Sequence, residues 1–315
     1  MARRLVPNAD IRILRHKNCE SIPEEANGCF FKIEQAINFL PQIAVIANPA
    51  TLHIDIAQSL AQSGVHILVE KPLSASLDNV QHLLDTCKKE SLVLMTGYNL
   101  RFLPSLQHFH EILNENKLGD VLSIRCEVGQ YLPTWRPNTD YRQAVSSRQE
   151  LGGGALLELS HEIDYLNWIF GGVEWVKANL SRQSNLEINV EDTVHMILGF
   201  NPLENGKQLI GTVNIDFIRQ DATRLCTVIC EKGSLRWNGL TGNVELFEAG
   251  SSAWHEIFHY QHKSDDSYFF EWRHFLECIE KQKIPLISGE SGLEVLQIID
   301  AVRESSLTGK QVFVK

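Results

Sequence analysis

Three polar runs begin where apolar stretches stop: Asn48-Pro49-Ala50-Thr51-Leu52-His53 after IAVI, Glu70-Lys71-Pro72 after HILV, and Gly97-Tyr98-Asn99-Leu100-Arg101 after LVLMT. Asparagine is a common turn former, and for Asn48 that reading balances a functional one. Lys71 carries more information. A proline keeps the residue before it extended, so the ammonium group has a defined direction at the end of a buried run. A lysine fixed there can hydrogen-bond a substrate oxygen and stabilise a developing alkoxide.

A second cluster runs Gly152-Gly153-Gly154 and on through Glu158, His161, Asp164 and Tyr165. Glycines that give way to a helix leave its first amides open to close approach. On one continuous helix Glu158, His161 and Asp164 share a face. His161 could then accept a proton near neutral pH, oriented by a carboxylate that raises its pKa. Read alone, the cluster is more simply a capped helix holding a satisfied core histidine. A third stretch, from Tyr131 to Arg142, interleaves Trp135, Arg136, Tyr141 and Arg142. Such side chains suit sugar faces and anionic groups, or else cover a sheet edge.

The elements that position these residues fall into two textures. Up to Gly119, short apolar runs (Ile11–Leu14, Ile43–Ala47, His66–Glu70, Leu92–Tyr98) alternate with helical segments (Lys32–Leu40, Leu52–Ser63, Ser76–Lys89, Phe102–Glu115). Repeated strand–helix units predict a doubly wound α/β domain with a parallel sheet over 1–119. From residue 120 to 315, alternating strands follow one another at Val121–Val128, Trp175–Ser181, Thr193–Phe200, Gln208–Ile218, Arg224–Ile229, Ser234–Trp237 and Val244–Phe247. Helices near Ala155–Ile169, Ser267–Lys281 and Gly292–Ser306 interrupt them. That pattern predicts an α+β domain on a large, mostly antiparallel open sheet, with the last helix returning to the first domain.

Composition narrows the function classes. A net charge of -10 argues against a dedicated nucleic-acid binder. No apolar stretch is long enough for a membrane helix, and Met1-Ala2-Arg3-Arg4 lacks the apolar segment of a secretory signal. Seven scattered cysteines without a CxxC fit a reducing cytoplasm, and no histidine pattern predicts a metal.

In this order, Pro49…His53, Glu70-Lys71-Pro72 and Gly152-Gly153-Gly154…His161…Asp164 resemble the glucose-fructose oxidoreductase / inositol dehydrogenase (Gfo/Idh/MocA) family from about Ile11 onwards. The resemblance implies a Rossmann domain for NAD(H) or NADP(H), hydride transfer at a carbinol carbon of a sugar, cyclitol or similar substrate, and oligomer contacts through the open sheet. It implies Lys71 as catalytic lysine, His161 as acid/base and Asp164 as substrate-binding or orienting aspartate. Asn48, Pro49, His53, Glu70, Lys71, Pro72 and Asn99 fall on the cofactor side, with Lys71–Pro72 cis. Arg101, Trp135, Arg136, Tyr141, Arg142 and His161 are the expected substrate contacts.

Two departures stand out. The acid the family carries four residues before the histidine is replaced by Leu157, which leaves Glu158 as the candidate orienting group. No G-x-G-x-x-G turn precedes Ile11, so Arg3-Arg4-Leu5 reads as the tail of the family's first helix, with a strand, glycine loop and half-helix missing. Arg15 then sits where the adenosine ribose is read, which leans towards NADP(H). The alternative is a cofactor-deficient sugar-binding or oligomer-forming homologue without redox activity.

Overall fold

The continuous apolar runs become parallel strands, and the alternating runs become antiparallel ones. The computed structural model describes residues 1–15, 22–202, 206–263 and 265–315. Its first part runs α1 (Ala2–Leu5), β1 (Arg12–Leu14), β2 (Gly28–Phe30), α2 (Ile33–Asn38), β3 (Ile43–Ile46), α3 (His53–Ala61), β4 (His66–Glu70), α4 (Val80–Lys89), β5 (Leu94–Gly97) and α5 (Pro104–Asn114). Strand β1 pairs parallel with β2, and β3, β4 and β5 form a parallel sheet in that order. Among the described residues no ladder joins the two sets, so the parallel half consists of two sheets. Strand β2 falls in a stretch expected to be loop. Helix α4 starts at Val80 rather than Ser76, because Ser76 and Asp78 bond to each other and Asn79 is left-handed.

The second part runs β6 (Val121–Gly129), α6 (Ala155–Glu158), α7 (His161–Phe170), β7 (Val173–Ser181), β8 (Thr193–Phe200), β9 (Ile210–Asp216), β10 (Thr223–Cys230), β11 (Gly233–Asn238), β12 (Asn243–Glu248), β13 (His255–His259), α8 (Asp266–Lys281), α9 (Gly289–Thr308) and β14 (Val312–Phe313). One nine-stranded sheet has the order β13-β12-β11-β10-β6-β9-β8-β7-β14. Only the β6–β9 pair within it is parallel. Its strands alternate as a half-covered sheet must. Ile124, Cys126, Met196, Leu198, Val213 and Ile215 face the core, while Arg125, His195, Ile197, Thr212 and Asn214 stay exposed.

Helix α9 touches both halves. Gly289 and Gly292 lie against Leu84, Leu94, Thr96 and Leu73 of the parallel part. Near its other end, Ser305 and Ser306 accept hydrogen bonds from the amides of Ala178 and Leu180 on β7 at 2.9 and 2.8 Å. Such close approach of the helix to the sheet needs glycine, since a side chain at either position would collide with Leu94 or Thr96.

Candidate active site

Parallel pairing sets the strand ends side by side: Ile46 opposes Val69, and Glu70 opposes Gly97. The three polar runs therefore leave the same edge of the sheet, where α/β proteins bind ligands. The Lys71–Pro72 peptide is cis. His53 locks two of the runs together, with Nδ1 3.0 Å from the Pro72 carbonyl and Nε2 2.7 Å from the Asn48 carbonyl. The ring is buried and both nitrogens are occupied, so it holds the strand ends and offers no free nitrogen to a cofactor.

Lys71 reaches across to the glycine-led cluster. Its Nζ donates to the Glu158 carbonyl at 2.6 Å and stands 3.7 Å from the Glu158 carboxylate. The expected single helix is in fact two. A continuous helix would bond the Glu158 carbonyl to the amide of residue 162. Lys71 takes that carbonyl instead, the Glu162 amide makes only a 3.5 Å bond to Leu159, and Ser160 bonds back to Leu157 at 2.9 Å. The break turns Glu158 towards Lys71, and His161 opens a new helix.

The break also undoes the shared face expected of Glu158, His161 and Asp164. Asp164 is fully buried and held by Arg101, with Nε–Oδ2 2.9 Å and a second bond of 2.6 Å to Oδ1. Arg101 is itself 3% exposed. Both residues are thus engaged in a two-pronged buried pair, and among the described residues neither bonds His161. Removing one partner of such a pair costs on the order of 3–5 kcal/mol, because the other charge stays buried.

His161 is partly buried, and its Nδ1 is shielded with no hydrogen-bond partner among the described residues. Burial, and then the positive charges of Lys71 and Arg224, hold its pKa well below the usual histidine range. The expected direction was upward. It fails because burial dominates and, among the described residues, no carboxylate bonds the ring while two cations act on it. Tyr98, fully buried, stands edge-on to the imidazole at 5.5 Å between ring centres and bonds Ser160 Oγ at 3.2 Å. Behind His161, Arg224 Nε donates to the buried Glu162 carboxylate at 2.8 Å. Nothing in the spacing along the sequence marks Arg224, which arrives through the register of β10. Tyr98 belongs to the Gly97–Arg101 run, but only the folded chain sets its ring against His161.

The strand-end edge suits the polar end of a dinucleotide. The Asn48 side-chain oxygen is buried there without a partner among the described residues. Glu70 stands against Gly97, Lys71 follows it, and Asn99 donates to Ser267 Oγ at 3.0 Å. Pro49 precedes the helical turn at Ala50–Leu52. Carboxylate, amide and ammonium groups of this kind fit the hydroxyl and carboxamide groups of a nicotinamide riboside. Arg15 follows β1, its amide donating to the Phe30 carbonyl at 2.9 Å. His16 lies outside the described residues.

Among the described residues, no hydrogen bond draws the aromatic–arginine stretch onto this cluster. Arg142 pairs with Asp140 at 2.9 Å and with Glu187 at 3.2 Å, and Tyr141 accepts from the Glu187 amide. Trp135 packs edge-on to Phe217 and donates to the Gln130 carbonyl, while Arg136 is exposed. A cavity of about 590 Å³ lies beside Gly152 and Gly153, lined also by Glu191 and Arg303 and not by Lys71 or His161. Its charged walls already bond protein groups, Arg303 to the Ala75 carbonyl and Glu191 to the Leu156 amide.

Comparison with known proteins adds to this geometry. Residues 14–98 match a family model described as an oxidoreductase family, NAD-binding Rossmann fold, and residues 110–314 match the C-terminal alpha/beta domain of the same family. An uncharacterized oxidoreductase of Synechocystis sp. is 32% identical over 141 residues, which cover 44% of this chain and 37% of that protein. The chain thus spans less than half the length of that relative. The trans-1,2-dihydrobenzene-1,2-diol dehydrogenase of Xenopus laevis is 24% identical over 258 residues, 80% of this chain and 74% of its own. Among solved structures, levoglucosan dehydrogenase in complex with NADH superposes with a TM-score of 0.85 at 21% identity, over 97% of this chain and 90% of that one. At that identity the likeness speaks for the fold.

Proposed function

We infer, from the premise that this chain belongs to the Gfo/Idh/MocA oxidoreductase family with its NAD-binding Rossmann fold, that it transfers a hydride to or from a carbinol carbon of a sugar-like alcohol. The observation that carries this reading is the meeting of Lys71, Glu158 and His161 at the parallel strand ends. A bound nicotinamide cofactor supplies the hydride acceptor or donor. The protein's own groups manage the proton and the charge. His161, neutral at physiological pH, takes the hydroxyl proton at Nε2, since Nδ1 is shielded. Lys71 turns its ammonium from the Glu158 carbonyl to the oxygen that becomes negative. Glu158 keeps Lys71 in reach, and Tyr98 braces the imidazole from the side.

The substrate class is supported by relatives named levoglucosan dehydrogenase and trans-1,2-dihydrobenzene-1,2-diol dehydrogenase. Arg15, at the end of β1, favours NADP(H) over NAD(H). The uncovered face of the nine-stranded sheet, with Ile197 and Ile210 exposed among polar neighbours, serves as a contact between copies. The competing reading is a sugar-binding homologue without redox activity, favoured by the division of the parallel strands into two sheets. Titration with NADH and NADPH, read by nicotinamide fluorescence, separates the two. Tight binding, followed by loss of turnover on a panel of sugars and cyclitols in both Lys71→Ala and His161→Ala, is the expected result. Unchanged turnover in both variants would refute the mechanism, and absence of cofactor binding would favour the competing reading.

A further inference from the structure

Beside the strand ends lies a carboxyl that the mechanism above does not use. Glu271, on α8, is 0% exposed, and neither of its carboxylate oxygens has a hydrogen-bond partner among the described residues. Its position is well defined. One turn earlier on the same face of α8, Ser267 accepts the Asn99 side-chain amide at 3.0 Å. Asn99 follows β5, and the Glu70 carboxylate lies over Gly97 at the end of that strand. Glu70 and Glu271 thus flank one corner of the strand-end site from opposite elements. The charged and titratable groups acting there are Glu70 from β4 with Lys71 beside it, and Tyr268 and Asp265 from the same end of α8.

A carboxylate taken out of water with no donor and no cation against it is strongly unfavourable, and a second buried acid nearby makes it more so. Burial raises Glu70 as well, but Lys71 eases that charge through its ammonium and its backbone amide, whereas among the described residues no cation acts on Glu271, which is raised further. We propose that Glu271 is a positioning residue that stays a neutral acid, so that the Glu70–Glu271 corner carries a single negative charge and that charge sits on Glu70, beside Lys71. Acting through Glu70, Glu271 fixes the charge balance in which the Lys71 ammonium works. The direction of its titration agrees, since burial and then the Glu70 charge raise it well above the ordinary carboxyl range. The link to catalysis rests on the role given to Lys71, while the protonation itself does not depend on that role.

The test therefore reads protonation and stability instead of turnover. Infrared spectra of the purified chain should show a carboxylic-acid carbonyl band persisting at pH 8, absent in Glu271→Gln and present in Glu70→Gln. In Glu70→Gln the band should titrate away at lower pH than in the parent, because the opposing charge is gone. A raised native pKa means that the folded state binds the proton more tightly, so stability is lost as pH rises above the ordinary carboxyl value. Glu271→Gln should remove that loss, and its melting temperature should gain on the parent by a few degrees between pH 5.5 and pH 8.5. No acid band at pH 8 in the parent, or the same titration in Glu70→Gln, would overturn the proposal. So would a Glu271→Gln chain less stable than the parent at pH 8.5. These outcomes are distinct from a failure of the hydride-transfer reading, which would appear only in cofactor binding and turnover.

Discussion

At the scale of single residues, the proton-transfer chemistry turns on an imidazole that the protein keeps neutral. Burial and the charges of Lys71 and Arg224 depress His161, so the base stays unprotonated as pH falls through the ordinary histidine value of about 6.5. The acidic limb of kcat/KM, measured in a buffer series, should accordingly lie below that value. A limb at or above it would mean that a carboxylate supports the ring after all. Lys71 was legible from sequence because an apolar run, an acid and a proline leave little freedom in where it points. The partner of Asp164 was not. Arg101 lies 63 positions away, and only the folded chain brings the two together. The same holds for Arg224, placed by strand register, and for Glu271, which reads in sequence as one more charge on an amphipathic helix.

At the scale of elements, the decisive feature is the interruption between α6 and α7. The stretch ALLELSHEIDYLNWI contains neither proline nor glycine, so its apolar period reads as one helix. The break comes from outside, when Lys71 captures the Glu158 carbonyl. Gly153 supports the turn before it, for a Cβ there would run into the Val145 carbonyl and lie 2.8 Å from the Ser146 carbonyl, and backbone cannot yield as a side chain can. Gly153→Ala should destabilise the chain by about 1–3 kcal/mol and lower turnover with it, as urea melts and steady-state rates would show. Gly171 is the control. It ends α7 at φ 81° with nothing within 4 Å of its Cβ position, so Gly171→Ala should cost about 1 kcal/mol and leave turnover intact. Equal turnover losses in the two variants would deny the turn its special role. Long strands such as β8 were legible from alternation, whereas β2 was not, because three residues are too few to show a period.

At the scale of the whole molecule, the two textures of the sequence correspond to parallel and antiparallel sheets, which is why the architecture could be read without coordinates. What the sequence could not show is that the parallel strands divide into two sheets, since pairing depends on neighbours in space. If copies meet through the uncovered sheet face, Ile197→Glu should shift the mass measured by light scattering towards the monomer, with cofactor binding unchanged. An unaltered mass would move the contact elsewhere.

Helix α9 has a consequence of another kind. It packs on Leu73, Leu84 and Leu94 near its start and on β7 near its end, yet it is made after every strand it touches except β14. On the ribosome, the strands nearest the start therefore wait for some 200 further residues before their flank is covered, since Thr96 and Ser288 are 192 positions apart. At about 5–20 residues per second that is an interval on the order of 10–40 s. Through that interval Leu73, Leu84 and Leu94 lack the cover that α9 later gives them.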